Sequence, residues 1–184
     1  MKKATPFLPS VQQKLACQRG ASLLEGIAYL GIAALVVLGA VSLLTGAFGS
    51  AKSNQTSEEV VALRTAVRKM YAGQPYNADA LMMANLITAR AIPNTLAVTG
   101  AATVGNGWGG AVTITGTAAG TFTITYTNVP QDVCVGVVSG ANGWTRISGA
   151  ADANPITVFP ATASNATTLC AAAGNANTII FTAT

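Results

Sequence analysis

The chain has 184 residues, of which 51% are apolar and only 9% charged, with a formal charge of +4 and no histidine. That length holds one domain plus an appendage, and the missing histidine removes the commonest general base, nucleophile activator and metal ligand together. The acids are dispersed and no Ser-x-x-Lys motif is present, so no enzyme, metal site or cofactor is expected. Four of the ten basic residues, Lys2, Lys3, Lys14 and Arg19, precede Gly20, and without them six basic groups face six acids. The basic excess therefore belongs to a leader, where positive charge holds a segment on the cytoplasmic side of a membrane. The remainder is neutral and poor in aromatics, which argues against nucleic-acid binding.

Residues 1–20 carry Pro6, Pro9 and scattered positive charge without apolar periodicity, the texture of a disposable leader. Next comes Arg19-Gly20-Ala21-Ser22-Leu23-Leu24-Glu25, followed by an uncharged apolar run over 26–51. As a helix that run rises about 39 Å, against a hydrocarbon core of about 30 Å. A secretory signal has an apolar core of only about 7–15 residues, so Gly49-Ser50-Ala51, a usable cleavage site, follows a run that is too long. A plain anchor fits the length but leaves Glu25 unexplained, because a carboxylate at the lip of an apolar segment costs several kcal/mol without a partner. Its bland readings are a charge snorkelling at the interface, or the partner of Ser22 in a capping box.

From Thr56 the apolar positions Val60, Leu63, Ala66, Val67 and Met70 recur at three and four and share one helical face. Thr56-Ser57-Glu58-Glu59 matches a capping box, so the helix either restarts near Gly46-Ala47-Phe48-Gly49 or continues as one rod. The continuous rod is the favoured reading, with the glycines as its soft point. After Gly73-Gln74-Pro75, residues 77–87 read as a short second helix capped by Asn77 and ended before Ile92-Pro93. Beyond residue 95 the texture turns to Gly, Thr, Ala and Asn. Strict alternation over Thr121–Thr127 predicts a half-buried strand. Val112–Thr115, Val133–Val138, Ile156–Phe159 and Thr178–Thr182 are further strand candidates. Asn106-Gly107-Trp108-Gly109-Gly110 reads as a turn, lacking the lysine and following helix of a phosphate loop. Strand threonines packed against the amphipathic half of the helix would make an α+β fold.

Cys17 lies in the leader, while Cys134 and Cys170 lie near the C-terminus. An even pair beyond a membrane-targeting segment reads as a disulfide in an oxidising compartment, worth roughly 4 kcal/mol by loop entropy; two buried free thiols are the alternative.

The basic leader ending at Gly20, the glutamate at the fifth position after that glycine, and the apolar helix resemble the prepilin signal of type IV pilins. The resemblance implies cleavage between Gly20 and Ala21 by a prepilin peptidase, N-methylation of Ala21, and an assembly charge at Glu25 that pairs with the Ala21 amine of another subunit. Ala21 departs from the phenylalanine or methionine usual in the family. The implied plan is a cleaved leader (1–20), a long helix (21–72, with 26–51 in the membrane or filament core) and an α+β head (73–184). In that head an antiparallel sheet rests on the helix spine, and Cys134 and Cys170 take the place of the C-terminal disulfide. Leu24, Ile27, Leu30, Leu35, Val36, Leu38 and Leu43 are the expected filament-core side chains, with Gly31, Ala33, Ala34, Gly39 and Ala40 allowing close approach. The long leader, non-aromatic Ala21 and wide cysteine spacing lean towards the type IVb class. The implied function is a structural subunit of a thin pilus for adhesion, cell–cell contact or conjugative mating. Its partners would be further copies of itself, the peptidase, the inner-membrane assembly machinery and a host or recipient surface. The protein would pass from the bacterial inner membrane to an extracellular filament. Competing readings are a minor pilin, a secretion pseudopilin, or a secreted module cut after Ala51.

Overall fold

A computed structural model describes residues 23–76, 81–117, 120–174 and 176–184. The chain divides into two compact units, with the boundary between Ser42 and Leu43. Helix α1 (Leu23–Met70) contributes to both and stays helical through Gly46–Gly49, without a restart. The capping-box reading of Thr56 is therefore corrected. Thr56 and Ser57 lie mid-helix, and their hydroxyls donate back to the Lys52 and Ser53 carbonyls, both at 2.9 Å. A buried hydroxyl inside a helix has the preceding turn as its nearest acceptor.

The first unit, over its described residues, is the helical stretch 23–42. The second opens with the rest of α1 and continues with α2 (Met82–Thr88), β1 (Ala97–Val98), β2 (Val104–Gly105), β3 (Ala111–Gly116) and β4 (Phe122–Val129). There follow α3 (Gln131–Gly140), β5 (Arg146–Ser148), a short 3-10 turn at Ala150–Asp152, α4 (Ala163–Leu169) and β6 (Asn177–Ala183). The strands form one antiparallel sheet in the order β1-β2-β3-β4-β6-β5. The architecture is α+β, as the sequence predicts.

Alternation decides which face of the sheet is buried. Val112 and Ile114 of β3, Phe122, Ile124 and Tyr126 of β4, and Ile179, Phe181 and Ala183 of β6 share one core with Val60, Leu63 and Val67 of α1. The threonines of β4 take the opposite, half-exposed face. They do not pack against the helix as expected, because the apolar face removes more surface from water when buried there. Threonine pairs instead across the outer surface, as in the 2.9 Å contact between Thr115 and Thr123.

Two further expectations are corrected. The run 133–138 is helix α3, not a strand. Pro130 occupies its N-cap, Asp132 lies in its first turn, and its buried residues Val133, Cys134, Val137 and Val138 recur with a helical period. Both edges of β4 are already taken by β3 and β6, so a strand directly after β4 would find no partner beside it. The segment Ile156–Phe159 makes only one isolated bridge, between Ile156 and Ile147, and the flanking Pro155 and Pro160 cannot donate to a ladder. Helix α2 begins at Met82 with Leu81 at its cap and no side-chain capping bond; Asn77, the expected cap, lies outside the described residues.

The 106–110 turn is held by one side chain. Asn106 Oδ1 accepts from the amides of Trp108 at 3.0 Å and Gly110 at 2.9 Å, while Nδ2 donates to the Thr127 carbonyl at 2.7 Å. Gly109 has φ of 75°, a conformation glycine adopts at no steric cost.

Candidate assembly surface

Over its described residues the first unit presents exposed apolar surface. Every large apolar side chain from Leu23 to Val41 is exposed, Leu23 at 86%. By length and composition α1 is able to cross a membrane. The predicted core side chains Leu24, Ile27, Leu30, Leu35, Val36 and Leu38 all lie on this stretch, and Leu43, in the second unit, is likewise exposed. At Gly26, Gly31 and Gly39 a Cβ would meet no atom within 4 Å, so these glycines leave shallow gaps in the helix surface. A soluble domain does not normally leave such a continuous apolar face uncovered.

Glu25 is exposed in the first turn of α1, where its charge suits the positive end of the helix dipole. Its carboxylate is not alone. The Tyr29 phenol donates to Glu25 Oε1 at 3.3 Å, one turn along the helix. The sequence reading did not single out Tyr29, although its spacing of four from the glutamate was visible. Gly20 and Ala21, the expected cleavage and methylation positions, lie outside the described residues.

Within the second unit, α1 and α3 approach closely at two glycines. A Cβ on Gly49 would stand 2.6 Å from Asp132 Oδ2, and one on Gly136 would collide with the Ser53 hydroxyl. Beside this crossing lies an open groove of about 320 Å³, lined by Gly46, Gly49, Ser50, Ser53, Asn54 and Asp132 among others. Small residues suit this separation; a larger one at Gly49 or Gly136 would first have to turn the Asp132 carboxylate or the Ser53 hydroxyl aside.

The Cys134–Cys170 disulfide is formed, with Cα atoms 5.8 Å apart and both residues fully buried. It ties α3 to the C-cap of α4, a helix that the sequence reading missed. The Thr162 hydroxyl caps α4 by accepting from the Asn165 amide at 3.2 Å.

Two arginines of α1 clasp the C-terminal half of the head. Arg64 lies 4.5 Å from the centroid of the Trp144 ring and donates to the Gly143 carbonyl at 2.6 Å. Partial burial, and then neighbouring Arg68, lower the Arg64 guanidinium below its ordinary value, but arginine remains charged. Arg68 Nε donates to the Thr184 carbonyl at 2.8 Å. In the core, the Tyr126 hydroxyl makes no hydrogen bond of normal geometry. Burial first, and the facing Glu59 carboxylate second, push its phenol far above the ordinary tyrosine value. Glu59 is itself buried and accepts from Gln55 Nε2 at 2.9 Å.

Among the described residues, no three His, Cys, Asp or Glu side chains gather where they could hold a metal ion. What the described residues offer is surface: an uncovered apolar helix with a carboxylate near its start, and a disulfide-tied head. No curated protein matches the chain. The family model described as PilS N terminal matches residues 50–184, which covers the head and the amphipathic part of α1. The chain thus belongs to the PilS N-terminal family, a type IV pilin-related family, and is a pilin-like protein.

Proposed function

We propose that this protein is a type IVb pilin, stored in the inner membrane and polymerised into a thin pilus serving adhesion, cell–cell contact or conjugative mating. A prepilin peptidase removes residues 1–20, and Ala21 becomes the methylated amino terminus. Family membership supports a structural, non-enzymatic pilus subunit. The observation that carries the finer reading is the exposed apolar stretch of α1 with Glu25 at its start.

Lipid tails are as apolar as leucine. Moving this stretch from bilayer to helix bundle therefore changes its hydrophobic free energy little, and packing and charge decide whether and in what register the bundle forms. A carboxylate and an ammonium each cost several kcal/mol when isolated in an apolar phase and far less when paired. Glu25 of one copy meeting the Ala21 amine of another removes both costs at once, and it does so in one axial register. The open positions at Gly31 and Gly39, with Ala33, Ala34 and Ala40, allow the helices to come close enough for that pair to form.

The test is Glu25→Ala in the full chain, with processing and sheared filaments measured separately. We expect a processed subunit of normal abundance and a filament yield reduced at least tenfold, since breaking a buried pair costs about 3–5 kcal/mol. Wild-type filament yield would remove the pairing role. The mass of the mature N-terminus distinguishes N-methyl-Ala21 from a retained leader or a start at Lys52.

A further inference from the structure

We infer that Tyr29 is the positioning residue for Glu25, holding its carboxylate through Oε1 and leaving Oε2 for the amino group of an incoming copy. This rests on the assembly role proposed for Glu25. The observation is the hydrogen bond from the Tyr29 hydroxyl to Glu25 Oε1 at 3.3 Å, on a stretch of helix whose large apolar side chains are exposed.

Helical side chains lean towards the N-terminus, so a residue four positions later lies over the one before it. A tyrosine at that offset brings a donor back to the carboxylate. The same ring placed four residues earlier would point away from it. A carboxylate at the lip of an apolar segment that is drawn out of water persists only with partners. At 3.3 Å the contact is longer than a charge-assisted O–H···O bond of about 2.5–2.7 Å, so it orients the carboxylate in the lone subunit and has room to tighten when water is excluded. Tyr29 is therefore the donor placed to serve the Glu25 carboxylate in the stored subunit. It also restricts the carboxylate to an orientation along the helix surface, so an incoming ammonium meets an oriented acceptor. One oxygen for the phenol and one for the ammonium satisfies the carboxylate without displacing the first donor.

The experiment compares four variants of the full chain in cells that carry the assembly machinery: Tyr29→Phe, Tyr29→Gln, Glu25→Ala and the Tyr29→Phe/Glu25→Ala pair. Processed subunit in the inner membrane and filament yield are measured for each. The phenylalanine variant keeps the ring and loses the donor. It is expected to be processed normally and to lose about tenfold in filament yield, the size of a hydrogen bond to a charged group. Glutamine, which restores a donor, is expected to recover most of that yield. The pair is expected to be no worse than Glu25→Ala alone, because the phenol acts only through the carboxylate. In lipid vesicles, the infrared carboxylate bands of isotope-labelled Glu25 should move on Tyr29→Phe. Normal filaments from Tyr29→Phe, unmoved bands, or a further loss in the double variant would each overturn the inference while leaving the role of Glu25 intact. Normal filaments from Glu25→Ala would overturn both.

Discussion

Gly110 is the position where the structure makes its sharpest stability prediction. A Cβ built there falls on the Thr127 carbonyl oxygen, 2.6 Å from the carbonyl carbon and 2.9 Å from Asn106 Nδ2. The first two are backbone atoms of Thr127 in β4, where the register against β6 shifts and the carbonyl accepts from Asn106 Nδ2, so no side-chain rotation relieves the contact. Either the start of β3 moves away from β4 or the Asn106 amide leaves its three hydrogen bonds. Overpacking of this kind costs about 1–3 kcal/mol. Each lost bond of the nearly buried Asn106 side chain adds roughly 0.5–1.5 kcal/mol. We therefore expect Gly110→Ala to cost about 3 kcal/mol, a fall in melting temperature of roughly 6–12 °C for a chain of this size. The assay is thermal and urea unfolding of the full chain in detergent, followed by near-ultraviolet circular dichroism. Gly107→Ala is the control, because nothing lies within 4 Å of its Cβ position, and it should change stability by less than about 0.5 kcal/mol. If the two variants proved equally stable, the account of this turn as a backbone close approach would be wrong.

Two other outcomes concern the core. Replacing Cys134 by serine opens a link between residues 36 apart in sequence, and should cost roughly 4 kcal/mol by loop entropy, read as a lower urea midpoint under non-reducing conditions. Tyr126→Phe should cost about 1–3 kcal/mol, since the phenol faces the buried Glu59 carboxylate and its removal leaves that charge with one donor fewer. The raised phenol value also sets a sign. Below about pH 10 the tyrosine is protonated in both folded and unfolded chains and contributes no pH dependence. Above it the unfolded chain releases the proton that the folded one keeps, so stability falls as pH rises. Tyr126→Phe should remove that component of alkaline unfolding.

Where a long periodic stretch carried its own instruction, sequence and structure agree; the short patterns at Thr56, 133–138 and 156–159 did not hold. The 3.6-residue period of Val60, Leu63, Val67 and Met70 placed one face of α1 on the core before any fold was known. Strict alternation over Thr121–Thr127 identified β4 as a half-buried strand, though its apolar face and not its threonines meets the helix, and the composition of 106–110 identified its turn. Arg64 gives the opposite lesson. Its partners, the Trp144 ring and the Gly143 carbonyl, lie nearly eighty residues away, and no local pattern pairs them.

By itself, then, the sequence determined a charge-free apolar helix with a carboxylate at its start, an α+β head and a pair of cysteines able to join. These features come from hydrophobic period, residue type and spacing, which act over a few neighbouring residues. Tertiary structure alone decided that the β-branched run 133–138 is helical. The edges of β4 were already occupied, and as a helix the run buries Val133, Cys134, Val137 and Val138 on one face. It also decided that Arg146–Ser148 is a strand, because three residues cannot specify a strand until β6 offers them an edge. Local propensity is worth a few tenths of a kcal/mol per residue. Burial and an available hydrogen-bonding edge are worth several times more, so where the two disagreed the surroundings prevailed.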